Sequence, residues 1–276
     1  MRWSAVGSCS SLVIWQNLSL AADTGTRQDE AMTPDTYLTR LQSDATRLAE
    51  MAGHDLDAPV PPCPGWTVRD VVEHTGAVYS HKVACMRLPE GPEHVEDWNH
   101  GPAEGEEIVA WFQERYDELV SELTARGPDS PSYTWHDKDQ TVGFWFRRMA
   151  QETAVHRADV ESAFDAMTWV ADDLAVDGID EVLDLFLVYQ CEDVGPDGPG
   201  RGTVAVRTGE HIWRVTLSAD DVVLSRDPGP AEAVVSGEPS ELLLWLWGRR
   251  PDSAVTLEGD SELLTGFRAR LKVVTQ

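Results

Sequence analysis

The chain has 276 residues, 42% of them hydrophobic, which is enough apolar material for one large or two ordinary domains. Its formal charge is −26, from 48 acidic and 22 basic residues. A groove for a phosphate backbone needs the opposite balance, so no nucleic-acid partner is expected, and the acidity serves solubility.

Four cysteines (Cys9, Cys63, Cys85 and Cys191) are widely spaced and form no CxxC pair. They supply neither a disulfide framework nor a thiolate zinc site, and a reducing cytoplasm suits them. No apolar run approaches the ~20 residues of a membrane span, and no membrane association is expected.

Residues 1–31 show no periodicity. Arg2 followed by Ser11-Leu12-Val13-Ile14-Trp15 faintly suggests a signal peptide, but Gln16, Asn17 and Ser19 interrupt the apolar core. The fold is expected to start at Met32, leaving 1–31 as a disordered extension. Thr33 and Pro34 supply an N-cap and a first-turn proline, and Leu38, Leu41, Ala45, Leu48 and Met51 keep helical spacing, which predicts a helix over 34–52.

Asp57 to Trp66, with prolines at 59, 61, 62 and 64, is a rigid extended loop. It ends in a helix start: Thr67 as N-cap, Asp70 three residues on, and Trp66 placed to staple against Val71. This second helix runs to about Arg87, with Val71, Val78 and Met86 on its apolar face and His74 between the first two. After a polar loop from Leu88 to Gly105, a third helix over about 106–126 buries Val109, Phe112, Tyr116, Leu119 and Leu123. A fourth, over about 141–166, carries an apolar seam of Trp145, Met149, Val160 and Ala163. Four helices with these connections predict a bundle over 32–169.

From about residue 170 the pattern changes. Asp180 to Gln190 reads as one more helix and Gly195 to Gly202 as a turn. Val204 and Val206, then Trp213, Val215 and Leu217, alternate around Thr208-Gly209-Glu210 as a hairpin. Val222–Leu224 and Ala233–Val235 extend the sheet, and Leu242–Trp247 is a short helix stopped by Gly248 and Pro251. Ala254–Leu257 is a strand, and Asp260 or Ser261 caps a last helix to about Val273. The span 170–276 is therefore expected to be an α+β domain.

Glu152 and His156 share the seam of the fourth helix, four residues and one turn apart. A carboxylate on a buried seam is costly unless it is paired. Glu152-x-x-x-His156 fits half of a metal site. It also fits a salt-bridged Glu beside a core histidine, or a helix turned so that both face solvent. His74, on the buried face of another helix, supplies a third donor. Two imidazoles and a carboxylate on facing helices are a plausible set for zinc with one position open. Asp159, three residues after His156, could fix an imidazole tautomer, as could Glu73, or could form a surface salt bridge with Arg157 or Arg148.

Two stretches resemble a known family. Cys63-Pro64-Gly65-Trp66-Thr67-Val68-Arg69-Asp70, followed by Glu73-His74, resembles the second helix of the mycothiol-dependent maleylpyruvate isomerase family, within the DinB-like metalloenzyme superfamily. Gly143 to Asp159 resembles its fourth helix, and Leu243-Leu244-Trp245-Leu246-Trp247-Gly248-Arg249-Arg250 its sterol-carrier-like C-terminal domain. The resemblance implies His74, Glu152 and His156 as ligands of zinc or another divalent metal, and mycothiol or a similar low-molecular-weight thiol as cofactor. It implies a small-molecule electrophile as substrate and a thiolate activated for cis–trans isomerisation or S-transfer.

The family's substrate-holding arginine has no single match here, with Arg87, Arg147 and Arg148 as candidates. Cys63 reads as a packed loop cysteine, the Trp245–Trp247 pair as core, and His54, His81, His94, His100, His136 and His211 as surface residues. The competing reading is a non-enzymatic metal-binding ligand carrier or regulatory module.

Overall fold

Thr33 and Pro34 do what their chemistry dictates. The Thr33 hydroxyl accepts from the Thr36 amide at 3.2 Å, Pro34 takes the first turn, and α1 (Pro34–Ala52) buries Leu41, Ala45, Leu48 and Met51. The computed structural model describes residues 32–88, 101–102, 107–190, 199–219 and 221–275. The expected extension over 1–31 and nearly all of the Leu88–Gly105 loop lie outside these residues.

The proline-rich loop after α1 is tied down by backbone hydrogen bonds. Val60 N donates to Trp66 O at 2.9 Å, and Val68 N to Ala58 O at 3.0 Å. Gly65 takes φ +90° at the turn, a conformation that glycine adopts without the Cβ penalty. The loop delivers the chain into α2 (Val68–Arg87) through a complete capping box. The Asp70 carboxylate accepts from the Thr67 amide at 2.7 Å, and the Thr67 hydroxyl accepts from the Asp70 amide at 3.4 Å. Such a cap is worth about 1 kcal/mol. It also fixes the register that puts His74 two turns into the helix.

α3 (Ile108–Arg126) packs on α2, and α4 (Val142–Ser162) packs on both α1 and α2. Ile108 and Trp111 join Phe112, Leu119 and Leu123 in the core, while Val109 and Tyr116 are only partly buried. The expected four-helix arrangement is present.

The single apolar seam expected on the fourth helix is too narrow a description. α4 is buried on every side, and Arg148, Gln151, Thr153, His156, Arg157, Asp159 and Glu161 are all nearly or wholly inaccessible. A buried helix tolerates such groups only when each finds a partner. Arg157 illustrates the solution, donating to Asp44 of α1 at 3.0 Å, to Glu161 at 2.6 Å and to the Thr168 hydroxyl at 2.7 Å.

α5 (Asp172–Glu181) begins eight residues before the expected helix start at Asp180, with Asp172 and Asp173 in its first turn. It then widens into a π-helical segment, Val182–Val188, closed by a hydrogen bond that the Tyr189 amide donates to Asp184 O at 3.0 Å.

A five-stranded mixed sheet follows in the spatial order β3-β2-β1-β4-β5, built from β1 (Gly202–Thr208), β2 (His211–Leu217), β3 (Val222–Ser225), β4 (Ala233–Ser236) and β5 (Thr256–Gly259). The β1–β2 hairpin turns at Gly209-Glu210 as expected, with Thr208 opposite His211 and Gly209 at φ +53°. α6 (Pro239–Leu246) and α7 (Ser261–Thr275) complete the α+β part. Asp260 caps α7, its carboxylate accepting from the Glu262 and Leu263 amides at 2.9 and 3.0 Å. Ala254 belongs to a short 3-10 turn, so β5 starts two residues later than expected. Trp245 and Trp247 are buried, as core packing requires. No helix among the described residues is long and apolar enough to cross a membrane.

Candidate metal centre

α2 and α4 carry their three marked residues to one point. His74 Nε2 lies 3.4 Å from Glu152 Oε1, and His156 Nε2 lies 3.2 Å from the same oxygen. One ligand atom from each residue falls within 4.8 Å of the others, and the two imidazole centroids are 4.9 Å apart. Exposure is graded across the group: the His74 side chain is 40% exposed, Glu152 18% and His156 10%. The cluster therefore opens to solvent on the α2 side.

Each inner group is held from behind. The second oxygen of Glu152 accepts from Arg148 at 3.0 Å, leaving Oε1 to face the imidazoles. Arg148 is itself clamped by a buried ion pair with Glu181, at the end of α5, and lies over the rings of Phe186 and Trp247 at 5.2 and 5.6 Å. His156 Nδ1 lies 3.0 Å from the fully buried Asp159 carboxylate, which leaves Nε2 directed at Glu152. Asp159 also accepts from Arg249, just after α6, at 3.1 and 3.3 Å. Arg249 donates to Trp247 O at 2.7 Å and reaches Cys63 Sγ at 3.7 Å. The Trp66 and His74 rings meet in a T-shaped arrangement, their centroids 5.2 Å apart.

The electrostatics follow from this arrangement. Burial pushes the Glu152 carboxyl up, but the charge of His156 and hydrogen bonds from both imidazoles outweigh it and hold the group well below the usual carboxylate range. Burial pulls His156 down, yet Glu152 and Asp159 raise it to about 9, so the ligand-free imidazole is a cation at neutral pH. Burial, then the charge of Asp159, pushes the Cys63 thiol up to about 11. Cys63 is thus no ready nucleophile at neutral pH.

Of the residues marked in the sequence, His74, Glu152, His156 and Asp159 are brought together. Asp159 is not on the surface and pairs with neither Arg157 nor Arg148. Glu73 is exposed, with its carboxylate against Gly101. His81, His136 and His211 are half-buried, contrary to the surface reading that His54 follows, and His136 packs against Trp135, Phe144 and Tyr189. His94 and His100 lie outside the described residues. Arg249, Glu181 and Lys82 carried no separate signal. The Arg249-Arg250 pair after the Trp-rich helix was the nearest clue.

The mycothiol maleylpyruvate isomerase N-terminal domain model matches residues 38–161, and the MDMPI C-terminal domain model matches residues 173–266. Two crystal structures of the mycothiol-dependent maleylpyruvate isomerase, one of them a histidine-to-alanine mutant, share the fold. Their TM-scores are 0.57 at 12% identity for the mutant and 0.54 at 13% for the other, each covering 85% of this chain and 97% of the other. No curated protein matches the sequence.

Proposed function

The chain belongs to the mycothiol maleylpyruvate isomerase family, and from that premise we propose that it is a metal-dependent enzyme using a low-molecular-weight thiol, mycothiol or a close analogue, to act on a small electrophile. Isomerisation of a maleylpyruvate-like double bond is the first expectation. S-transfer to an electrophile is its nearest variant.

The observation that carries this reading is the convergence of His74 Nε2, His156 Nε2 and Glu152 Oε1 from two helices onto one partly open point. The donor set fits a divalent ion of the zinc type. Two borderline imidazole nitrogens with one hard carboxylate oxygen are a set that zinc accepts, and three protein ligands are the number that leaves a position for an exchangeable group. When bound, such an ion supplies Lewis acidity that lowers the pKa of a coordinated thiol.

The chain's own residues prepare that point. Asp159 accepts from Nδ1 of His156 and so presents the Nε2 lone pair inward once the ring is neutral. Arg148 occupies the outer oxygen of Glu152 and keeps it anionic. The greater exposure of His74 gives a thiol and an electrophile an approach from the α2 side.

The test is zinc analysis of the purified protein, followed by thiol-dependent turnover of maleylpyruvate in metal-stripped and zinc-restored samples. Zinc near one per chain, with turnover lost on stripping and regained on restoring, is the expected result. Equal rates with and without zinc would end the thiolate mechanism. Tight zinc without thiol binding would favour the non-enzymatic module.

A further inference from the structure

Three arginines were candidates for holding an anionic substrate, and all three are already neutralised. Arg87 pairs with Glu118 and Glu122, Arg147 with Asp177 and Asp180, and Arg148 with Glu152 and Glu181. Arg249 is taken by Asp159. A guanidinium held by carboxylates has little charge left to offer a ligand.

Lys82 is different. It lies on α2, eight residues after His74, and its ammonium sits 5.0 Å above the ring of Trp145, seven residues before Glu152 on α4. The site and Lys82 are thus about two helical turns apart along the same helix pair, roughly 10 Å. Burial lowers the Lys82 ammonium from its ordinary value, and the charges of Cys85, Glu152 and Arg148 also act on it. The residue is half-buried, and among the described residues no carboxylate stands within ion-pair distance of it. Among the described residues its one hydrogen-bond partner is His81 Nδ1 at 2.8 Å. Burial and then the Lys82 charge hold that imidazole down at about 4, so it is a neutral acceptor.

An ammonium withdrawn from water without a counter-ion costs stability, and one aromatic face and one neutral imidazole compensate only part of that cost. Charge-driven solubility does not explain the placement, because the chain as a whole is strongly anionic. An unneutralised cation beside the metal centre is what an anionic ligand would need, since the global field repels it.

We propose that Lys82 is the specificity-determining cation of this site, holding a carboxylate of the substrate while the electrophilic carbon faces His74, Glu152 and His156. The orientation of the carbon rests on the function proposed above. The anion contact does not, because it needs neither metal nor thiol. The ligand class is a small carboxylic acid carrying an activated double bond. The lysine ammonium grips it as a point charge rather than as a guanidinium fork.

Binding of maleate and of its neutral diamide is measured by titration calorimetry on wild type, Lys82→Met and Lys82→Arg, with zinc content determined on each sample. Wild type should prefer maleate. Lys82→Met should lose about tenfold or more in maleate affinity, the scale of a hydrogen bond to a charged group, with diamide binding unchanged. Lys82→Arg should restore most of the loss. Lys82→Met should also melt no lower than wild type, since it removes an uncompensated charge, which a merely structural lysine would not permit. Equal maleate affinity in wild type and Lys82→Met, or no preference for maleate in wild type, would overturn the proposal. Zinc missing from wild type would count against the metal-dependent reading instead, and the maleate comparison would still decide the role of Lys82.

Discussion

Asp159→Asn is the sharpest single test of how the centre is held. Asp159 is fully buried and accepts from His156 Nδ1 at 3.0 Å and from Arg249 at 3.1 and 3.3 Å. Asparagine keeps the shape and one acceptor oxygen but removes the charge. Arg249, with its side chain 10% exposed, then loses its only ion-pair partner among the described residues. Breaking a buried pair costs about 3–5 kcal/mol, and the retained backbone acceptors Trp247 O and Thr275 O place this variant near about 3. The imidazole also loses the anion that fixes its tautomer and raises its basicity. Substitutions of that kind typically lower metal affinity by about 10- to 100-fold.

The assay pairs a zinc competition titration against a chromogenic chelator with urea unfolding of the metal-free protein. Lower zinc affinity together with a lower unfolding midpoint is the expected outcome. Zinc affinity within about twofold of wild type, measured in a variant whose stability has fallen as expected, would refute the claim that Asp159 acts on the metal through His156. Asp159 would then be only an anchor for Arg249.

Three further outcomes follow from the same structure. Because Glu152 and Asp159 raise His156 to about 9, zinc should displace about one proton at pH 7, and its affinity should climb with pH until about 9; a weakly buffered indicator titration showing no proton release would contradict this. Burial raises Glu181 to about 7 from an ordinary 4.5 against the pull of Arg148 and Arg147, so the folded state holds its proton longer than the unfolded state, and stability should fall as pH rises through that window relative to Glu181→Gln. Parallel stability–pH curves for the two proteins would show that Arg148 keeps Glu181 ionised throughout. Gly76→Ala places a Cβ against the Trp111 ring, so the variant should lose about 1–3 kcal/mol to overpacking despite the helix-propensity gain, and an unchanged melting temperature would mean that Trp111 moves freely.

What could be read in the sequence was what local chemistry decides. Thr33, Thr67 and Asp260 announce helix starts because a short oxygen-bearing side chain beside orphan amides has few better uses. The α1 bounds agree to the residue, and the β1–β2 hairpin turns where Gly209 permits it. His74, Glu152 and His156 stood out because each put a polar group among apolar neighbours at helical spacing. What could not be read depends on partners remote in the chain. Arg157 meets Asp44 across 113 positions, and Arg249 meets Asp159 across 90. Without those partners the polar residues of α4 look solvent-facing, so a helix buried on all sides looked amphipathic. The π-helical widening after Glu181 has no marker in Val182–Val188, whose apolar run suits an ordinary helix equally well. Lys82, one of three lysines in the sequence, has no local marker, since the absence of a counter-ion is a property of space.

The second half of the chain bears on the centre without supplying any of its three donors. Glu181 clamps Arg148, which sets the free oxygen of Glu152, and Arg249 clamps Asp159, which sets the free nitrogen of His156. Phe186 and Trp247 cover the Arg148 guanidinium between these two links and keep water from competing for it. Both α4 donors are therefore oriented through one intermediate residue each, and in each case the outer residue comes from beyond residue 170. Among the described residues His74 has no such link, its ring meeting those of Trp66 and His156 edge to face, and it is the most exposed of the three. The centre is accordingly braced from behind on its α4 side and more open on its α2 side. That division suits a site where the ligands that must not move are buried and the face that admits a thiol and an electrophile can adjust around them.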